Sequence, residues 1–385
     1  MKIAFFTDTF YPDINGVANT LKRYTDYLDS RGITYKVFAP EGFDKSEGKE
    51  YISSQIHRLK SLSFFLYPEC RLALPNVMRI KAELEDFAPD IIHVATPFNV
   101  GLCGVYFGNK LNIPLVGSYH TDFDYYLQFY DLQFLSKYLW KYMKWFHRPF
   151  RKIFVPSAVT FNQLNRHGFS NLEKWPHGVD CQAFHPYYNR KIVRSKLGIN
   201  KKYLLTFVGR LAPEKDLKTL MAVAKSLPYD LNQHLQWLII GDGPLRDELQ
   251  KEAASNMIFT GYLKGDSLAE AYSVSDLFIF PSPTETFGNV VLEALACGTP
   301  VVGANAGGVK NIINPGITGT LCEPGNVEDF TRAIVQLLTH RNLRNEMGLE
   351  ARNYALTQKW DDIFDTLISQ YSEIVDMPPA EKIFA

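Results

Sequence analysis

Two separate series of short apolar runs, each run followed by a stretch of helical period, leave this chain few folds to adopt. In the first series Lys2 to Phe6, Tyr35 to Ala39, Ile91 to Val94, Leu115 to Ser118 and Lys152 to Pro156 read as strands, with Pro89-Asp90 and Asn112-Ile113-Pro114 as punctuation. The second series runs through Leu204 to Val208, Trp237 to Ile240, Ile258 to Thr260, Leu277 to Phe280 and Pro300 to Gly303. Strands that alternate with helices call for crossovers instead of hairpins, so each series predicts a parallel, doubly wound α/β sheet. A length of 385 residues exceeds what one core usually serves. Two domains facing one cleft are therefore expected, residues 1–190 and 191–359, with Phe184 to Asn200, rich in Pro, Tyr and basic residues, as the linker. The helical tail after Lys359-Trp360 could finish the second domain.

Composition closes several functional classes. Lys plus Arg equals Asp plus Glu at 41 each, which removes a global electrostatic case for nucleic acid. The five cysteines (Cys70, Cys103, Cys181, Cys297, Cys322) are scattered, without zinc-ligand spacing, a usage that suits a reducing cytosol. Ile3 to Phe6 is too short for the apolar core of a signal peptide, and no apolar run approaches the roughly 20 residues of a membrane span. The expectation is a cytoplasmic protein, soluble or peripheral on the inner face of a membrane.

The chemistry concentrates in the second half. Glu285 and Glu293 stand eight residues apart in Glu285-Thr-Phe-Gly-Asn-Val-Val-Leu-Glu293. If a helix starts near Gly288, eight residues rise about 12 Å, so the two carboxylates address distant points of one elongated ligand. Between them Phe287, Gly288 and Asn289 form a helix N-terminus whose free N–H groups suit an anion. Glutamate pairs on helices are commonly solvated, and the pair gains meaning from Phe207-Val-Gly-Arg-Leu-Ala-Pro-Glu-Lys215. There an apolar strand ends in Gly209 and delivers Arg210 and Lys215, a rigid fork and a movable point charge, to the edge where open α/β sheets bind ligands. Sugar hydroxyls, a diphosphate and a ribose diol in line would match this layout.

Further motifs extend the pattern: Tyr11-Pro12-x-x-Asn15-Gly16-Val17, Ser118-Tyr119-His120-Thr121-Asp122, Val155-Pro156-Ser157, Pro176-His177-Gly178-Val179-Asp180 and Gly241-Asp242-Gly243-Pro244. In order and spacing they resemble the retaining glycosyltransferases of the large GT-B family 4, over nearly the whole length. Tyr67-Pro68-Glu69-Cys70-Arg71-x-x-x-Pro75 further resembles the branch containing sulfoquinovosyl-diacylglycerol synthases and bacterial lipid mannosyltransferases. The resemblance implies two Rossmann-like domains, the first binding the acceptor and the second the donor, with a terminal helix at about 360–385 crossing back onto the first. It implies a metal-independent hexosyltransferase without a cofactor, using a UDP- or GDP-linked sugar and a glycolipid or glycan acceptor. Arg210 and Lys215 would face the departing diphosphate, Glu285 the sugar hydroxyls, Glu293 the ribose and His120 the sugar near its anomeric carbon. A protein that binds nucleotide-sugar but transfers weakly, or a membrane scaffold, is the alternative.

Individual residues admit plainer readings. Gly16 is expected to supply positive φ and a close backbone approach to the donor, or else an ordinary turn. Asp122-Phe123-Asp124 imitates a metal-binding D-x-D, a role made unnecessary by Arg210 and Lys215. Gly241 to Pro244 reads as a tight turn, since a dinucleotide glycine series would break at Arg246. Asn311 stands where many relatives carry an acid after Gly307-Gly308. The loop near Gly261 to Lys264 is expected to read the base.

Tyr125 to Phe154 holds twelve aromatics, six Lys or Arg and one acid, Asp131. Lys137, Lys141, Lys144 and Arg148 recur at one helical face, beside Tyr138, Tyr142 and Trp145. That face suits an anionic membrane surface, where each cation contributes on the order of 1 kcal/mol. The alternative is a helix with its aromatics in the core and its lysines solvated.

Overall fold

The computed structural model describes residues 1–13, 15–41, 55–63, 71–129 and 132–378. Among these, the first sheet runs, in spatial order, Ile56–Leu59, Thr34–Pro40, Lys2–Phe6, Ile91–Val94, Leu115–Ser118, Lys152–Val155 and Leu172–Lys174, all parallel. The second runs Met257–Gly261, Leu235–Ile240, Tyr203–Val208, Leu277–Phe280, Val301–Ala304 and Gly319–Cys322, also parallel. Their central strands are buried over their full length because helices cover both faces, which is why they read as continuous apolar runs. The edge strands Ile56–Leu59, Leu172–Lys174 and Gly319–Cys322, and a small antiparallel pair of Ser61–Ser63 with Arg71–Ala73, are too short and mixed to stand out by sequence.

One face of the first sheet is packed by the Gly16–Ser30 helix, through Leu21, Tyr24 and Leu28, and by the terminal helix Trp360–Asp376, through Phe364, Leu367, Tyr371 and Ile374. Tyr24 stacks on Phe364 at 4.8 Å. The buried His93 bonds to the Tyr371 hydroxyl through Nδ1 and to Ser118 Oγ at 2.8 Å through Nε2. The tail thus packs on the first sheet, not the second.

The stretch expected to be a linker is folded. Phe184, Val193 and Ile199 are buried in the core of the second half, and Arg190–Lys196 is helical. Val193 anchors the short helix while Phe184 and Ile199 anchor its flanks, a pattern that composition averages away. The chain instead passes between halves near Gly178 to Phe184, N-terminal of the expected boundary at 190. There Val179 N–H donates to the Gln358 carbonyl at 2.9 Å, tying the outward crossing to the returning one. On the far side Arg352 donates to the carbonyls of Cys181, Phe184 and Ala296.

Candidate active site

Each sheet reverses its strand order once, between Lys2–Phe6 and Ile91–Val94 in the first and between Tyr203–Val208 and Leu277–Phe280 in the second. Outside the carboxyl ends at such a reversal neighbouring loops diverge and leave a crevice. Both crevices open into one cleft of about 1940 Å³, lined by Gly16, His120 and His177 from the first half and Arg210, Lys215 and Glu285 from the second.

The Tyr203–Val208 strand ends at Gly209 and leads through Arg210 into a 3-10 turn, Pro213–Lys215. Lys215 Nζ donates to Glu285 Oε1, which also accepts from Ser282 Oγ at 3.3 Å. Arg210 Nη1 lies 3.8 Å from Glu214 Oε1. Glu214 is 1% exposed, and neither carboxylate oxygen has a hydrogen-bond donor among the described residues. A buried carboxylate needs a nearby cation, and Arg210 supplies it. The Gly241 to Pro244 turn braces this loop, with Leu211 N–H donating to the Asp242 carbonyl at 2.9 Å and Arg246 pairing with the Asp242 carboxylate at 2.6 Å.

Gly288 lies at φ 110°, a left-handed position that a side chain would strain, and starts the Asn289–Ala296 helix with no side-chain cap. Its first N–H groups are therefore available to an anion in the cleft that Gly288 and Asn289 line. Gly308 N–H donates to the Glu285 carbonyl at 2.5 Å, and a Cβ at 308 would collide with the Thr286 carbonyl and Phe287 backbone. The glycine pair is thus a bearing for the Glu285 segment, whereas Asn311 is exposed on the following turn, away from the cleft lining. Glu293 also lines the cleft and accepts from the Tyr272 hydroxyl at 3.2 Å. Burial raises its pKa from 4.5 to about 7, opposed in part by Arg23 and the Tyr272 bond.

Across the cleft His120 follows the Leu115–Ser118 strand by two residues. Both ring nitrogens are buried without a partner among the described residues, and the ring packs 5.3 Å from Trp175 and 5.8 Å from His177. Burial, then the neighbouring His177 and His93, hold its pKa well below the ordinary histidine value. His177 Nδ1–H donates to Asn289 Oδ1 at 2.8 Å, its ring sits 4.8 Å from the buried Phe287, and burial lowers its pKa to about 4. Both rings are neutral hydrogen-bonding groups at physiological pH.

Gly16 corrects its expectation. It is the first helical residue, capped by the Asn15 side chain accepting from Ala18 N–H at 2.9 Å, and its φ is not positive. What glycine supplies there is room, since among the described residues an added Cβ would meet nothing nearer than Asn289 Nδ2, at 4.0 Å. The carboxylates of Asp122-Phe123-Asp124 are engaged by neighbouring groups. Asp122 accepts from Gln163 at 2.8 Å and from Tyr125 N–H at 3.2 Å, while Asp124 is taken by Ser136. Among the described residues no three His, Cys, Asp or Glu side chains gather as metal ligands.

The cationic residues stand apart from this constellation. Lys137, Lys141, Lys144 and Arg148 are exposed on and just beyond the Ser136–His147 helix and do not line the cleft. The aromatics of that helix divide: Trp140 and Phe146 are buried, Tyr142 donates to the Pro97 carbonyl at 2.5 Å, and Tyr138 and Trp145 are 70% and 50% exposed. Leu139 and Tyr142 line the cleft, so one helix joins the site to the cationic surface. Tyr67 to Cys70 of the narrower motif, and Asp131, lie outside the described residues.

Sequence reasoning passed over Glu214, His177 and Thr286 as site residues. His177 was visible inside its Pro-His-Gly-Val-Asp motif; Glu214 was visible only as the acid between two cations. Thr286 gave no signal, because its partner, the His120 carbonyl, is 166 residues away.

Residues 14–183 match the model for glycosyltransferase family 4, and residues 189–354 that for glycosyl transferases group 1. Over 377 residues the chain is 32% identical to a GDP-mannose-dependent alpha-mannosyltransferase of Mycobacterium tuberculosis, covering 97% of each. It is 33% identical to a sulfoquinovosyl transferase of Arabidopsis thaliana, covering 94% of this chain and 71% of that one. It is also 29% identical to an alpha-monoglucosyldiacylglycerol synthase of Streptococcus pneumoniae, covering 93% and 82%. In fold it is similar to the sucrose-phosphate synthase of Thermosynechococcus elongatus, with TM-score 0.82 at 19% identity over 97% of this chain and 99% of that one.

Proposed function

The chain belongs to the family 4, group 1 glycosyltransferases of GT-B fold, and on that premise we propose that it is a retaining, metal-independent hexosyltransferase. It takes the sugar from a UDP- or GDP-linked donor and delivers it to an acceptor hydroxyl, on a glycolipid at the cytoplasmic face of a membrane. The observation that carries this reading is the meeting of Arg210, Lys215, Glu285 and the uncapped helix at Gly288 at one reversal of strand order, opposite a neutral His120.

In the reaction the bond between the anomeric carbon and the bridging phosphate oxygen breaks, and the acceptor oxygen bonds to that carbon on the same face. The acceptor proton passes to the departing diphosphate. Negative charge grows on the diphosphate as the bond opens, so fixed cations and helix N–H groups aimed there stabilise the transition state more than the ground state. Arg210 and Lys215 supply the charge; Lys215 exchanges its Glu285 contact for the phosphate oxygens. Glu285, so released, accepts from sugar hydroxyls, and Glu293 from the ribose diol. His120, with unpartnered ring nitrogens, hydrogen-bonds the sugar beside the anomeric carbon. An isolable glycosyl-enzyme adduct would overturn this course.

A lipid acceptor is supported by the apolar cleft wall of Leu72, Phe98, Leu127, Leu132 and Leu139 and by a relative whose name carries a diacylglycerol product. Among the described residues no helix is long and apolar enough to cross a membrane. Peripheral contact through the cationic face of Lys137, Lys141, Lys144 and Arg148 brings the cleft to the lipid.

The test is thermal stabilisation by UDP, GDP, ADP and their sugars, repeated with liposomes. A ligand at 100 times its dissociation constant adds roughly 2.7 kcal/mol. Selective stabilisation by one nucleotide, with release of that diphosphate when acceptor is added, is the expected result. Stabilisation by none while the protein remains folded would remove the assignment. Binding with slow donor hydrolysis and no transfer would favour a weakly catalytic nucleotide-sugar-binding protein.

A further inference from the structure

The segment carrying Glu285 touches the first half at three nearby points. Thr286 Oγ1 donates to the His120 carbonyl at 2.7 Å, Phe287 packs 4.8 Å from the His177 ring, and Asn289 Oδ1 accepts from His177 at 2.8 Å. The Thr286 bond differs in kind from the other two. It joins the residue next to Glu285 to the backbone of His120 itself, and neither sheet requires it, since each has its own strands and core.

Among the described residues His120 has no hydrogen bond on either ring nitrogen to fix its direction. Packing against Trp175 and His177 restrains the ring, and His177 in turn meets Phe287 and Asn289, so this route reaches the Glu285 segment through an intermediary. The registration of His120 with Glu285 depends on contacts between halves, and among the described residues the Thr286 bond reaches His120 directly. We propose that Thr286 is a positioning residue, a latch whose hydroxyl locks His120 in register with Glu285 when the cleft is closed. This rests on the transferase reading for its effect on turnover, though not for the contact between halves.

The latch makes two demands. A hydroxyl is needed at 286, so Ser should serve and Val, of similar shape, should not. Its loss should also leave the nucleotide contacts intact, because Arg210, Lys215 and Glu293 all belong to the second half, while the sugar site between the halves loosens and admits water.

The experiment compares Thr286→Val and Thr286→Ser with the unsubstituted protein in four readings: nucleoside diphosphate affinity by calorimetry, turnover at saturating donor, the ratio of donor hydrolysis to transfer, and radius of gyration by small-angle scattering. For Thr286→Val turnover should fall roughly tenfold, about one hydrogen bond's net worth. Affinity should stay within about twofold, the hydrolysed fraction should rise and the scattering radius should increase, with Thr286→Ser matching the parent. Unchanged turnover and partition in Thr286→Val would overturn the proposal. So would a parallel loss of affinity, melting temperature and turnover, which marks a structural role. If the valine variant does not fold, Thr286→Ala, which only shortens the side chain, gives the same readings. Should the unsubstituted protein transfer from no donor, the transferase reading fails, and scattering alone decides: a more extended Thr286→Val supports the latch, an unchanged radius overturns it.

Discussion

Lys215 and Glu285 pair on the second-half wall of the cleft, and under the proposed roles a donor replaces that contact with its own phosphate and sugar. The pair retains an opening to the cleft, at 16% and 19% exposure, so water and Ser282 Oγ still reach Glu285 once the lysine is gone. Lys215→Ala should therefore lower turnover by about 10²–10³-fold, the typical cost of losing one preorganised charge, while the melting temperature shifts little; near-normal turnover would remove the diphosphate role. Glu293 makes a prediction about pH. With its pKa raised from 4.5 to about 7, the folded protein holds a proton that the unfolded chain has already lost. Stability from this residue is fully present below about 4.5 and falls as pH rises towards 7, a slope that Glu293→Gln should remove. Under the proposed role the ionised carboxylate is the form that accepts from ribose, so donor affinity should rise about tenfold from pH 6 to pH 8 and be flat in Glu293→Gln. An intact donor is the right probe, because its doubly esterified diphosphate does not titrate in this range. His177 and His120, with lowered pKa values, stay neutral throughout. Glutamates at fixed spacing and cations after a strand were legible in sequence because a helix and a strand end impose that spacing locally. Glu214 and Thr286 were not, since the burial of one and the partner of the other arise only once distant loops meet.

Helices in this molecule present different chemistry at different faces. Asn289–Ala296 buries Val291, Leu292 and Leu295 on one side and turns its N-terminus and Glu293 to the cleft. Gly288→Ala would place a Cβ at φ 110° and 3.2 Å from Val309 Cγ2. A cost of about 1–3 kcal/mol in stability is expected, with weakened nucleotide binding as the helix start shifts; calorimetric unfolding and a nucleotide titration measure both, and a neutral substitution would show that the backbone there is slack. Ser136–His147 has three faces: Trp140, Met143 and Phe146 in the core, Leu139 and Tyr142 on the cleft, and Lys137, Lys141 and Lys144 in solvent with Tyr138 and Trp145. Periodicity made the cationic row legible but left its two readings standing. Burial divides the aromatics between the core and solvent and leaves the lysines exposed, because a helix in a crevice has room for both a packed and a solvated aromatic set. Replacing the three lysines with glutamine should weaken binding to anionic vesicles roughly 100-fold, at about 1 kcal/mol per cation, and leave binding to neutral vesicles unchanged. Equal binding to anionic vesicles by parent and variant would return this face to plain solvation.

At the scale of the whole molecule, parallel sheets were legible because strands buried on both faces must be apolar throughout, a constraint that acts residue by residue. Which half owns a segment was less so. Phe184 to Asn200 looked like a connector yet buries Phe184, Val193 and Ile199 in the second core, and the tail packs away from the half that precedes it in sequence. Ownership is decided by docking between surfaces, which leaves no period behind. The terminal helix sets up an unequal dependence of the halves. The first sheet has one face closed by Phe364, Leu367, Tyr371 and Ile374, and its buried His93, whose pKa burial lowers to about 3, relies on the Tyr371 hydroxyl for one ring nitrogen. The second half has a core to which the terminal helix contributes no buried residue. A chain ending at Lys359 should therefore uncover Ile3, Phe5, Tyr24 and Trp175 to water and leave His93 half-satisfied, losses that no gain elsewhere offsets. Amide hydrogen exchange should show protection lost across Lys2–Phe6, Ile91–Val94 and Leu115–Ser118 and kept across Tyr203–Val208 and Leu235–Ile240. Tyr371→Phe in the full-length protein should move the same strands in the same direction, by about 1–3 kcal/mol, the cost of one buried group without its partner. Protection lost evenly in both halves would mean that the two sheets fold as one cooperative unit; protection retained in both would mean that the crossing helix is dispensable to the sheet it covers.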